Sequence, residues 1–130
     1  MSKENNYLDL IGAGTLSGSL KIHKDRRVYL FKIEMPDTRD IVYKVGVASG
    51  KRSLDRFLQV LRSIHIHYNQ IGRAKIKRDR KSKDPFVDEK KIHKLLSEYS
   101  YTPSEKFDGW TELFECDEET ALAAYHSVVG

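Results

Sequence analysis

A lysine stands in the middle of a strand-like run. In "IVYKVGVA", residues 41–48, β-branched and apolar residues favour a sheet. Lys44 interrupts them, and the permissive Gly46 follows. Arg56 comes next in "RSLDRF". The densest charge lies further on. "RAKIKRDRKSK" carries Arg73, Lys75, Lys77, Arg78, Arg80, Lys81 and Lys83 against the acid Asp79, while acids gather in "ECDEET". Clustered cations are the electrostatic footprint of nucleic-acid binding. The same run also reads as a solvated, mobile loop. His65 and His67 in "IHIHY" have the alternation of a metal pair, but no third ligand sits at a standard spacing. Proton carriage or phosphate contact is the other chemistry open to them.

The chain has 130 residues, enough for one domain with a real core. Charged residues make up 32% and hydrophobic ones 39%, a globular balance that argues against wholesale disorder. No apolar run has the length of a membrane span. "MSKENNYLDL" lacks the basic-then-apolar layout of a signal peptide. A lone cysteine, Cys116, makes neither an internal disulfide nor a cysteine zinc cage. The expectation is a cytoplasmic protein in a reducing compartment, with no membrane partner.

The elements must position these residues. The Gly/Ser-rich start, "IGAGTLSGS", reads as an arm or irregular lead-in, so residues 1–25 are set apart from a domain at 26–130. "VYLFKIEM" alternates as a strand, with Val28, Leu30 and Lys32 on one face and Tyr29, Phe31 and Ile33 on the other. "MPDTRD" supplies a turn, and "IVYKVGVA" returns as the second strand of an antiparallel hairpin. Ser53 opens a helix whose apolar stripe is Leu54, Phe57, Leu58, Leu61 and Ile64. Arg56 lies beside that stripe, in the first turn. The basic run is expected to loop out. Asp84 and Pro85 start a second helix, with Ile92, Leu95, Leu96 and Tyr99 as its buried stripe and Glu89 at the edge of it. "WTELFEC" reads as a short strand, and Asp117 caps a last helix. The order β-β-α-α-β-α predicts an α+β domain, a three-stranded antiparallel sheet flanked by helices.

With these landmarks in this order, the chain from about Arg26 to Val128 resembles the GIY-YIG nuclease superfamily, and within it a branch of small phage and bacterial proteins. "VYLF" matches the GIY segment, with Tyr29 at its tyrosine, and "YKVG" matches the YIG segment, with Gly46 at its glycine. Arg56 falls where the family keeps its catalytic arginine, and Glu89 in "EKKIHKLL" where it places its metal-binding glutamate. "GWTELF", with Glu112 and Phe114, resembles a G-x-x-E-x-F signature of the branch. Two positions depart from the pattern. Arg27-Val28 precede Tyr29 without the GIY glycine, and Lys44 replaces the YIG tyrosine, with Tyr43 one step earlier on the opposite face. A lysine there is familiar in this branch.

The resemblance implies a metal-dependent endonuclease that hydrolyses DNA phosphodiester bonds, phage or mobile-element encoded. Tyr29 would orient or deprotonate the attacking water, and Lys44 would support it or contact the phosphate. Arg56 would make paired hydrogen bonds to the scissile phosphate, which its planar fork suits. Glu89 would hold one Mg²⁺ (or Mn²⁺), an ion that binds through one or two carboxylates plus water and substrate oxygens. The basic run, with His65 and His67, would contact DNA through phosphates. Targeting would come from the arm, that run or a homodimer. Plainer roles stand beside these: sheet packing for Tyr29, an edge-strand guard for Lys44, a surface position for Arg56, pairing of Glu89 with His93, and a structural hydrogen bond for Glu112. A catalytically inactive nucleic-acid-binding module and a regulatory interaction domain are the rival functions.

Overall fold

The computed structural model describes residues 7–9, 25–48 and 53–130. Its elements are β1 (Tyr7–Asp9), β2 (Arg27–Glu34), β3 (Ile41–Val47), α1 (Ser53–Tyr68), β4 (Arg73–Lys81), α2 (Pro85–Leu95), β5 (Leu113–Phe114) and α3 (Glu118–Val129). The strands form one antiparallel sheet in the order β1-β4-β2-β3-β5. The class is α+β, as expected, but the sheet is wider than three strands. Most of the lead-in at residues 1–25 lies outside the described residues; within it, β1 pairs with β4, Tyr7 opposite Lys75. Among the described residues no helix is long and apolar enough to cross a membrane.

The expected hairpin is present. β2 and β3 pair in unbroken register from Val28 opposite Val47 to Glu34 opposite Ile41. Alternation along them makes two buried faces. On one, Tyr29, Phe31, Ile33 and Val42 meet Leu54, Phe57, Leu61 and Ile64 of α1. On the other, Val28, Leu30, Tyr43 and Val45 meet Ile92 and Leu96 together with Ala121, Ala124 and Tyr125 of α3. The sheet is therefore covered by α1 on one side and by α2 and α3 on the other.

The largest correction concerns the basic run. It does not loop out; Arg73–Lys81 is β4, an interior strand hydrogen-bonded to β2 along its length. Ala74 is buried and Ile76 packs on the α1-side core, which anchors the strand. Its long cationic side chains line a half-exposed face while their stems cover apolar surface. A bulge intervenes: Phe31 pairs with Ile76 but Leu30 pairs with Arg78, leaving Lys77 as the extra residue. One inserted residue reverses which face each later side chain points to. Arg78 and Arg80 consequently share the face of Leu30 and Val28, toward α3, and Asp79 shares the face of Tyr29.

The second helix starts as expected, with Asp84 accepting from the Val87 amide and Pro85 at the first position. Its buried stripe is narrower than expected. Ile92 and Leu96 are buried, but Leu95 is 54% exposed and Tyr99 is half-buried in a 3₁₀ turn, Ser97–Tyr99. "WTELFEC" is strand only at Leu113–Phe114, after a 3₁₀ turn at Trp110–Glu112. Asp117 caps α3 through the Thr120 amide at 2.8 Å.

Candidate functional site

Lys44 points to the α1 side of β3, where a charge would be costly if unpaired. It is 2% exposed. Its Nζ donates to the Tyr29 hydroxyl at 2.8 Å and to Glu112 Oε1 at 2.7 Å. Burial pulls the ammonium toward neutrality, but Tyr29 and Glu112 outweigh it and hold the group above its ordinary value. Two glycines make room for this arrangement. A Cβ at Gly46 would strike the Tyr29 ring and hydroxyl. Gly109 takes a left-handed φ of 83° and lets its turn press on the Lys44 stem, where a Cβ would meet Cε. The lysine and the glycine of "IVYKVGVA" thus serve one contact: Gly46 admits the Tyr29 ring, and Lys44 binds its hydroxyl.

Glu112, on the 3₁₀ turn, connects this pair to a second carboxylate. Glu89 comes from α2, on the other side of the sheet, and its carboxyl neighbours that of Glu112. Burial and the neighbouring Glu112 push the Glu89 carboxyl up to about 7, against the opposing pull of Lys44 and Arg56. The two sides of the sheet meet here because β5 pairs only with Tyr43 and Lys44. The edge of β3 beyond that pairing is open to α2, and His93 Nε2 donates to the Val45 carbonyl at 2.8 Å. The same nitrogen lies 3.9 Å from Glu89 Oε2. Arg56, half-buried in the first turn of α1, completes the group as a positive charge acting on Glu89.

Residues far apart in sequence are therefore linked: Lys44 joins Tyr29 to Glu112, Glu89 neighbours Glu112, and Arg56 acts on Glu89 as a nearby charge. The sequence reading left Glu112 between structural and catalytic roles; geometry puts it at the centre. The signal was the G-x-x-E spacing, which sets Gly109 against Lys44 and returns the carboxylate to its Nζ. Among the described residues no three His, Cys, Asp or Glu side chains converge as a ready-made metal cage.

The residues expected to grip nucleic acid do not gather here. Lys77 pairs with Glu118 at 2.9 Å, and Arg78 Nε donates to His126 Nε2 at 3.0 Å, both on α3. Arg80 donates to the Gly130 carbonyl, and Lys81 lies 3.5 Å from Asp25. Lys75 is half-buried and Lys83 exposed. Arg73 and His65 line an open groove of about 590 Å³ with Glu34, Arg39 and Gln70. His67 is exposed, its Nδ1 2.9 Å from the Ser63 carbonyl. Both histidines sit at the end of α1 opposite Arg56. At about 1.5 Å per residue, His65 is about 13 Å along the helix from it.

Such a fold and site define a small α+β domain with a buried Tyr–Lys pair beneath two adjacent carboxylates. The chain belongs to the T5orf172 domain family, whose profile matches residues 26–129. That is a phage-associated domain related to nuclease-like folds. No curated protein and no solved structure matches the chain.

Proposed function

We propose that the domain is a metal-dependent endonuclease that hydrolyses DNA phosphodiester bonds in the GIY-YIG manner. The observation that carries this is the meeting of Arg56, Glu89 and Glu112, with Lys44 beneath them, at the open edge of β3. Phosphodiester hydrolysis needs an activated water, charge neutralisation on the phosphate and help for the leaving oxygen. Glu89 and Glu112 fit Mg²⁺ (or Mn²⁺): they are two hard oxygen donors side by side, and burial together with the neighbouring Glu112 raises the Glu89 carboxyl to about 7, so a divalent cation would take the place of the proton held there. A cation bound there would supply Lewis acidity and a water of lowered pKa.

The chain's own residues divide the remaining work. Arg56 holds the scissile phosphate through its planar fork. Lys44 has almost no exposed surface, so it fixes Glu112 instead of touching the substrate. Tyr29 is fully buried, and its hydroxyl accepts from Lys44. It therefore acts through Lys44, a different role from the water-orienting one the resemblance implies. His93 flanks Glu89 and keeps α2 on the edge of β3.

The test is cleavage of supercoiled plasmid with Mg²⁺, with Mn²⁺ and with EDTA, using wild type, Glu89→Ala and Arg56→Ala. Nicking that requires metal and disappears in both variants supports the reading. The burial of Tyr29 and Lys44 favours a second reading, a DNA-binding domain in which the pair is structural. DNA retention without cleavage under either metal would select it.

A further inference from the structure

The nuclease reading needs a track for DNA, and several cations first assigned to it face elsewhere. At the bulge in β4 and just after it, Lys77 and Arg78 are engaged by Glu118 and His126 of α3. The helix that carries Glu89 offers a different surface. Residues three and four apart on a helix are neighbours, so α2 divides into strips. Ile92 and Leu96 enter the core. Glu89 and His93 form the next strip, at the site. Phe86, Lys90 and Lys94 form the one beside it, facing solvent: Phe86 is 50% exposed and both lysines are exposed. The nearby acid Asp88 lies away from that strip and accepts from Ser82 Oγ at 2.6 Å.

We infer that the outer strip of α2 is the track of the DNA strand. Lys90 and Lys94 take backbone phosphates beside the cut, and Phe86 stacks on a base exposed there. The inference rests on the nuclease reading for the position of the cut. Its chemistry follows from the strip. Two ammonium groups one helical turn apart match a polyanion running along the helix. An exposed phenyl neighbouring Glu89 is a stacking platform, and stacking tolerates any base because every base has a π-face. The preferred substrate is then DNA with an unpaired or unstacked base next to the cut, over perfect duplex.

The experiment is fluorescence anisotropy in EDTA over a salt series, with labelled perfect duplex and with the same duplex carrying one unpaired base. Lys90→Ala/Lys94→Ala is expected to lower the slope of log K against log salt by about 1.8, two phosphates at about 0.9 each. Lys90→Arg/Lys94→Arg should restore it. Phe86→Ala should remove the preference for the unpaired base, about tenfold or more. An unchanged slope in the alanine pair, or a loss confined to Lys77→Ala/Arg78→Ala, overturns the inference. If the wild type also cuts plasmid in a metal-dependent way, that failure leaves the nuclease reading standing. Absence of DNA binding by the wild type sinks both.

Discussion

Replacing Glu89 with glutamine should make the metal-free protein more stable at alkaline pH. The Glu89 carboxyl sits at about 7 in the fold against an ordinary 4.5. Its native value is raised, so the folded state holds a proton that the unfolded chain releases. The resulting stability is fully present below about pH 4.5 and is lost as pH rises through 7. At about 1.4 kcal/mol per unit the gap corresponds to roughly 3 kcal/mol. Glu112 is 31% exposed, so water softens the repulsion and about 2 kcal/mol is the better expectation. For a domain near this size that is a fall in Tm of about 5–10 °C. The assay is thermal unfolding in EDTA at pH 5.5, 7 and 8.5. Wild type should lose stability across this range, and Glu89→Gln, whose amide can still donate to Glu112, should stay nearly flat. Mg²⁺ added at pH 8.5 should raise the Tm of wild type and not of the variant. Equal pH slopes in the two proteins would refute the account of the carboxylate pair.

Substitutions at Lys44, Gly46 and Tyr29 test the layer beneath. Lys44→Met removes the donor shared by Tyr29 and Glu112 and leaves a buried hydroxyl beside an uncompensated carboxylate. Urea unfolding should show a loss of about 2–4 kcal/mol, and Lys44→Arg should not recover it, because Gly109 closes on a lysine stem. Gly46→Ala should cost about 1–3 kcal/mol through overpacking against the Tyr29 ring. Combining it with Tyr29→Leu should give a loss smaller than the sum of the single effects, measured by the same unfolding curves. Additive losses would mean that the ring is not what excludes a side chain at residue 46.

Local signals were the legible part of the fold. Asp84-Pro85 and Asp117 are caps written in residue type, and each caps the helix it announces. The alternation in β2 sorted Val28 and Leu30 from Tyr29, Phe31 and Ile33 correctly. β4 was illegible because its cations hide the alternation: only Ala74 and Ile76 show the apolar side, and the partners that hold Lys77 and Arg78 lie on α3, far along the chain. Even a correct strand assignment would have pointed Arg78 to the wrong face. The bulge at Lys77 is set by pairing with β2, which no local pattern encodes. Leu95 misled for the opposite reason. It is apolar and near the right spacing, but α2 has a narrow core stripe and ends at that residue.

The gathering of the site has a topological cause. Tyr29 and Lys44 belong to the α1 side of the sheet, and α2 packs on the opposite side, so a complete sheet would keep Glu89 away from them. β5 is too short to extend the sheet past Tyr43 and Lys44. That leaves the Val45 carbonyl unpaired by a strand, and an unmet carbonyl at a buried edge is costly. His93 meets it, which fixes the register of α2 along the edge and sets Glu89, one turn earlier, beside Glu112. The chain leaves α2 through two 3₁₀ turns, and the second of these delivers Glu112 from the α1 side. A longer β5 would satisfy Val45 and at the same time shut α2 out, so the short strand and the paired carboxylates are one feature of the fold.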